Sequence, residues 1–197
     1  MRKTVILIIS MICTVCSGQT ARLVLDKAAA AVSNKSGVTA DFTMKGLNGT
    51  TQGKLAVKGK KFNATTPQAS IWFDGKTQWT YMKKNDEVNV STPTQAQLQT
   101  INPYNFINMY KKGFKYTMNN SGKEFIIHLT ATDKAKKIQE MFIHVDKKDY
   151  APTQVRMLQG KKWITFTISN IKKAKLADTV FRFNSKDFPT AEVIDLR

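Results

Sequence analysis

From Val38 onward apolar and polar residues alternate along most of the chain, the period of two that marks strands with one buried face. Val38, Ala40, Phe42 and Met44 alternate with Thr39, Asp41, Thr43 and Lys45. The pattern then predicts a polar turn from Gly46 to Gly53, a strand with Leu55 and Val57 on one face, and a further strand with Phe62 and Ala64 after Gly59-Lys60-Lys61. The densest stretch runs from Ser70 to Tyr81. Ile71 and Phe73 share a face there and Trp72 points the other way, while Trp79 and Tyr81 put two large rings on one face of the returning strand. Asp74-Gly75 between them predicts a two-residue type I′ turn, because both central residues of that turn need positive φ. Asn85-Asp86 turns the chain again into a strand carrying Val88 and Val90.

The period changes to that of a helix twice. Thr20 to Val32 is alanine-rich, with Leu25, Ala29 and Val32 at helical spacing and Val24 and Ala28 beside them, and Asn34 to Gly37 ends it. After Pro93, Asn102 as cap and Pro103 at the first helical position predict an inserted helix whose stripe is Phe106, Ile107, Met109 and Tyr110, closed by Gly113. Strands resume with Phe114, Tyr116 and Met118, then Phe125, Ile127 and Leu129, then Met141, Ile143 and Val145. Gln154 to Leu158 pairs through Gly160-Lys161 with a strand in which Ile164, Phe166 and Ile168 oppose Trp163, Thr165 and Thr167. Phe181 to Phe183 and Val193 to Leu196 are predicted as the last strands. The reading is a single α+β domain, an antiparallel sheet of about ten or eleven strands in hairpin order. Its apolar face can be an ordinary core packed on helices, or it can keep room for an apolar ligand.

The N-terminus stands apart from this domain. Arg2 and Lys3 followed by apolar Val5 to Val15, with small residues up to Gly18, predict a secretory signal peptide over residues 1–18 and an exported mature protein from Gln19. Both cysteines, Cys13 and Cys16, fall inside it, so the mature chain is expected to have no disulfide and no thiol chemistry. Neither matches the spacing of a lipidation signal well.

A formal net charge of +17 suggests an anionic partner, but the lysines come in pairs at predicted turns: 60–61, 83–84, 111–112, 147–148 and 161–162. There they serve solubility and discourage edge-to-edge pairing. The two histidines, His128 and His144, lie within apolar strands, and no nucleophile–base pair, phosphate-binding loop or metal-ligand spacing accompanies them. No enzymatic activity, cofactor or metal is therefore expected.

Phe73-Asp74-Gly75-Lys76-Thr77-Gln78-Trp79-Thr80-Tyr81, followed by Glu87 to Val90, resembles the central hairpin of the bacterial outer-membrane lipoprotein carrier proteins. Leu25-Asp26-Lys27, Ala40-Asp41-Phe42-Thr43, Gly53-Lys54-Leu55-Ala56-Val57-Lys58, Asn102-Pro103-Tyr104 and Thr179-Val180-Phe181-Arg182-Phe183 fit the same family in the same order. The resemblance implies a half-open β-barrel with a helical lid over a hydrophobic cavity. It implies a monomeric periplasmic carrier that escorts acylated lipoproteins, or another lipid, from an inner-membrane release transporter towards an outer-membrane receptor, with no nucleic acid involved. Phe42, Trp79, Tyr81, Phe106, Tyr110, Ile143 and Phe166 are then the expected cavity or lid residues. An outer-membrane-anchored receptor of the same fold is the first alternative and requires an acylated Cys13 or Cys16. A basic protein with a filled core, acting through its surface on anionic glycans, lipopolysaccharide or acidic proteins, is the second. One position departs from the family: where its members commonly carry an Arg associated with holding the lid closed, this chain reads Val57-Lys58-Gly59, with Lys60 and Lys61 next. Lys lacks the planar fork that ties several carbonyls at once.

Overall fold

The computed structural model describes residues 13–46, 49–94, 97–98 and 109–197, with side chains from Thr20 onward. One helix, α1 (Cys13–Val32), precedes twelve strands: β1 (Val38–Gly46), β2 (Gly49–Lys58), β3 (Lys61–Thr65), β4 (Ala69–Phe73), β5 (Gln78–Met82), β6 (Glu87–Ser91), β7 (Phe114–Ser121), β8 (Glu124–Ala131), β9 (Ile138–Asp146), β10 (Pro152–Gln159), β11 (Lys162–Lys173) and β12 (Glu192–Asp195). They form one open sheet in the order β12-β6-β5-β4-β3-β2-β1-β11-β10-β9-β8-β7. Two antiparallel meanders, β1 to β6 and β7 to β11, are thus joined through the long-range pair β1–β11.

The antiparallel α+β architecture agrees with the alternation in the sequence, and the differences have local causes. The expected turn before Lys54 is mostly strand, because β1 runs on to Gly46 and Thr50, Thr51 and Gln52 pair with it residue for residue. The hairpin at Asp74 is not a two-residue turn: Phe73 pairs with Gln78, and of the two tip residues only Gly75 has positive φ. Asp74 acts through its side chain instead, accepting hydrogen bonds from the Lys76 and Thr77 amides at 3.0 and 2.9 Å. The register moves by two residues, so every side chain keeps its face. The inserted helix predicted from Asn102 lies outside the described residues apart from its end at Met109 and Tyr110, as does most of the predicted signal peptide.

The C-terminal segment departs most from expectation. Phe181 to Phe183 does not form a strand. Asp178–Phe181 is a 3-10 turn laid across the sheet against β3 and β4, and a segment crossing a face has no strand edge to pair with. It is anchored by Phe181, which is fully buried, by Lys58 and Lys61 on the Asp178 carboxylate at 3.1 and 2.7 Å, and by Lys58 Nζ donating to the Leu176 carbonyl at 2.8 Å. Lys58 and Lys61 therefore hold the tail. β12 then lies parallel to β6, covering an edge that would otherwise be open and breaking the expected hairpin order.

α1 buries Ala21, Val24, Leu25 and Ala28 against Ile127, Leu129, Met141, Ile143, Val145, Val155 and Met157 of β8 to β10. The exposed Leu23 lies off this stripe. A smaller cluster of Val57, Phe62 and Phe73, with Leu55, Ala64, Ile71 and Leu98 packed on it, occupies the other meander.

The tail contacts carry a pH dependence. Hydrogen bonds from Lys61 and Lys58 hold the Asp178 carboxyl below the usual carboxylate range, and hydrogen bonds from Thr190 and Tyr81 do the same for Asp86. A carboxylate with a depressed folded pKa contributes stability above its unfolded pKa, about 4, and loses it as pH falls through the lower folded value. Acidification from pH 5 to about pH 2 should thus loosen the tail, uncover Trp72 and red-shift tryptophan emission before far-UV circular dichroism is lost. Asp178→Asn should show part of that shift at pH 7, and emission that stays constant until global unfolding would contradict the anchoring.

Candidate functional site

Directly paired residues of neighbouring strands share a face, so the register sorts the whole sheet into two faces. Starting from Ile143 beneath α1, one row runs through Val155, Phe166, Met44 and Thr51, and its neighbour contains Ile168, Phe42 and Gly53. Continuing across the first meander, the same face carries Ala40 and Leu55, Val57 and Phe62, Ala64 and Ile71, then Phe73 and Gln78. It is mainly apolar over nine strands, with Thr51 and Asn120 as polar members, and turns polar at β5 and β6, where Gln78, Thr80, Asn89 and Ser91 stand.

Among the described residues, α1 fills this face over the second meander alone. The strip along β1, β2 and β11, where Phe42, Met44, Leu55, Phe166 and Ile168 lie, is half-buried. Phe166 and Ile168 pack against the α1 cluster and Leu55 against the Val57, Phe62 and Phe73 cluster, so the strip lies between the two. Gly53 shapes the strip: a Cβ there would fall 2.5 Å from Phe42 Cζ and 2.5 Å from the Thr65 carbonyl oxygen, so the ring lies directly over the glycine backbone.

The seven expected site residues divide between the two faces. Ile143, Phe166 and Phe42 lie on the helix-covered face, Ile143 as buried floor under α1 and the other two in the half-buried strip. Tyr110 is fully buried in the α1 cluster, and its hydroxyl donates to Asp26 Oδ1 at 2.5 Å, tying the end of the inserted segment to α1. Burial, and then the Asp26 carboxylate, push its phenol pKa upward. Phe106 lies outside the described residues. Trp79 and Tyr81 are on the opposite face, with Trp72 and Val90 in one row and Ser70 and Val88 in the next. There the tail covers them: Trp72 meets Phe183 and Phe188 edge-on at 5.7 Å, and Tyr81 packs on Phe188 at 4.6 Å while donating to Asp86 at 2.9 Å. Trp163 shares this face, pairing with Leu158, so all three tryptophans stand away from α1.

Residues that the sequence reading did not select, Met44, Leu55 and Ile168, complete the strip. Their signal was the cross-strand row, which becomes visible only once β1 is known to pair with β11.

Neither histidine faces the strip. His128 stacks on Phe142 at 4.3 Å with its Nε2 3.5 Å from Glu140, and His144 Nδ1 lies 2.9 Å from Glu124 Oε2. Hydrogen bonds from Thr153 and then His144 hold Glu124 below the usual carboxylate range, a surface arrangement with no nucleophile beside it. Among the described residues no three His, Cys, Asp or Glu side chains group as a metal site requires, and no helix is long and apolar enough to cross a membrane.

Residues 13–161 match the sequence profile of the family described as outer membrane lipoprotein carrier protein LolA. An uncharacterized conserved protein from Thermus thermophilus has a similar structure, with a TM-score of 0.61 at 12% identity, covering 90% of this chain and 99% of that one. A LolA superfamily protein from Nitrosomonas europaea aligns with a TM-score of 0.46 at 12% identity over 83% of this chain and 97% of that one. No curated protein matches the sequence.

Two substitutions test this geometry. Gly53→Ala forces the Phe42 ring and the Thr65 carbonyl apart and should destabilise the protein by about 1–3 kcal/mol in urea unfolding, with an unchanged m-value. Tyr110→Phe removes a hydrogen bond to a carboxylate that is itself about half exposed and can rehydrate, so its cost should be near 1 kcal/mol by the same measurement. No change in either variant would contradict the packing described.

Proposed function

Because the chain belongs to the outer membrane lipoprotein carrier protein LolA family, we propose that it is a carrier whose helix-covered face shelters acyl chains of a lipid or lipoprotein in transit through an aqueous compartment. The observation that carries this reading is the half-buried apolar strip along β1, β2 and β11, framed by two packed clusters on the same continuous face. An ordinary core closes such a strip, since each buried methylene is worth about 0.8 kcal/mol. A carrier keeps it available, and an acyl chain of about ten methylenes laid there would gain about 8 kcal/mol over exposure to water.

The role is non-catalytic. It requires a surface that loads and releases, with the direction of transfer set by the partners at each end. We place it in the periplasm, loaded by an inner-membrane release transporter and unloaded to an outer-membrane acceptor. Phe42, Phe166 and Ile143 are assigned to the binding face together with Met44, Leu55 and Ile168. Trp79 and Tyr81 are assigned to the tail-covered face, where Tyr81 packs on Phe188 of the C-terminal segment.

The test uses two residues of one strand that point to opposite faces. Protein purified without detergent should carry bound lipid or acylated protein in native mass spectrometry, and the stripped protein should take up a fluorescent fatty acid. Phe166→Asp should reduce that uptake at least tenfold, while Trp163→Ala should leave it unchanged. Circular dichroism confirms that both variants are folded, and a Leu55→Asp variant gives a second probe of the face should Phe166→Asp unfold. A clean apo mass with no fatty-acid uptake by the wild type would overturn the carrier reading. A diacylglyceryl Cys13 or Cys16 at the mature N-terminus would turn it into a membrane-anchored receptor.

A further inference from the structure

The apolar face ends, beside Val57, Phe62 and Phe73, at a rim of a different character. Val57, Phe62 and Phe73 are cross-strand partners in one row, and the residues that follow or precede them at the strand ends are Lys58, Lys61 and Asp74. Four separate segments converge on a pocket at this end of the sheet: the residues after α1, the β2–β3 turn, the β4–β5 turn at Asp74 and Gly75, and the tail at Asp178. The pocket is lined by Lys35, Lys58, Lys60 and Lys61 together with Asp74 and Asp178. Its charges do not balance. Lys58 and Lys61 share the single Asp178 carboxylate, and Asp74 faces Arg182 at 3.4 Å. Lys35 and Lys60 have no acidic partner among the described residues.

Paired lysines at the other turns behave differently. Lys83 donates to the Thr66 carbonyl, Lys147 to the Gly122 carbonyl, and Lys111 stands over the Tyr110 ring. Each belongs to one turn, and none shares a pocket with lysines from another segment among the pockets described. Among the described residues, this rim gathers four lysines from two segments at the strand ends next to the row Val57, Phe62 and Phe73.

We propose that the lysine-lined pocket binds the anionic phosphate headgroup of an amphiphile whose chains lie on the helix-covered face. The inference rests on the carrier reading and narrows its cargo: an acylated molecule bearing a phosphate at the polar end is favoured over a neutral or zwitterionic one of the same chain length. Several ammonium groups on one phosphate give charge-assisted hydrogen bonds, which a phosphocholine group, with its own cation beside the phosphate, makes less well. The lysines have a purely structural alternative, since cations next to the C-terminal end of α1 complement its dipole. That alternative predicts an effect on stability without any effect on headgroup choice.

The experiment compares a short-chain phosphatidic acid with a phosphatidylcholine of the same acyl length, below their critical micelle concentrations, by isothermal titration calorimetry at low salt. Inorganic phosphate is titrated alone as a third probe. The wild type should bind the phosphatidic acid about tenfold more tightly than the phosphatidylcholine. The double variant Lys35→Ala/Lys60→Ala, which leaves the Asp178 pairs intact, should lose most of that difference and retain its phosphatidylcholine affinity. Lys83→Ala/Lys84→Ala, with the same loss of charge at a different turn, should retain the difference. Equal affinities for the two lipids, or equal effects of the two double variants, would overturn the headgroup site while leaving the carrier reading intact. Inorganic phosphate that binds through Lys35 and Lys60 with no preference between the lipids would assign the pocket to free phosphate and overturn the headgroup assignment. Failure of both lipids to bind would overturn the carrier reading, and this inference with it.

Discussion

Everything on the helix-covered face depends on the antiparallel pairing of β1 with β11. The two strands are far apart in sequence, and closing the chain between them carries an entropy cost that local hairpins do not. Once made, the pair sets Met44 opposite Phe166 and Phe42 opposite Ile168, turning two separate meanders into one continuous apolar surface. With β11 unpaired, α1 would cover a five-stranded sheet and the first meander would present its own small cluster to solvent. The half-buried strip lies on either side of this junction. The proposed binding strip is therefore built around a strand pair that joins distant parts of the chain.

The two faces of the sheet are covered by different means. α1 packs aliphatic side chains onto one, and the C-terminal segment packs Phe181, Phe183 and Phe188 onto the other, over Trp72 and Tyr81. All three tryptophans lie on the face of the sheet opposite the strip. Rings that interlock edge-on pack under the tail, whereas the strip is built from Phe, Met, Leu and Ile side chains. Lys58 and Lys61 belong to the sealing arrangement, since their partners are Asp178 and the Leu176 carbonyl.

Local alternation made most of the strands legible, because one buried face imposes a period of two whatever the partner strand is. The faces were legible within each strand too: Ile71 and Phe73 against Trp72, or Ile164, Phe166 and Ile168 against Trp163. Which of two apolar faces meets the helix was not legible. Trp79 and Tyr81 form as strong a stripe as Ile143 and Val145, and only the cross-strand register from β4 through β3, β2 and β1 to β11 assigns them to opposite sides. The tail was hidden for a related reason. Phe181 and Phe183 show the spacing of a strand, but tertiary packing against Trp72 uses that spacing without a ladder. The polar run Thr50 to Gln52 read as a turn because polarity reports exposure, while pairing with β1 reports backbone geometry.

The most direct test of the central claim is photo-crosslinking with a diazirine-bearing fatty acid, followed by peptide mapping of the labelled residues. The account predicts label in β1, β2 and β11, at Phe42, Met44, Leu55 and Ile168. Label concentrated at Trp72, Trp79 or Phe188, on the tail-covered face, would contradict it.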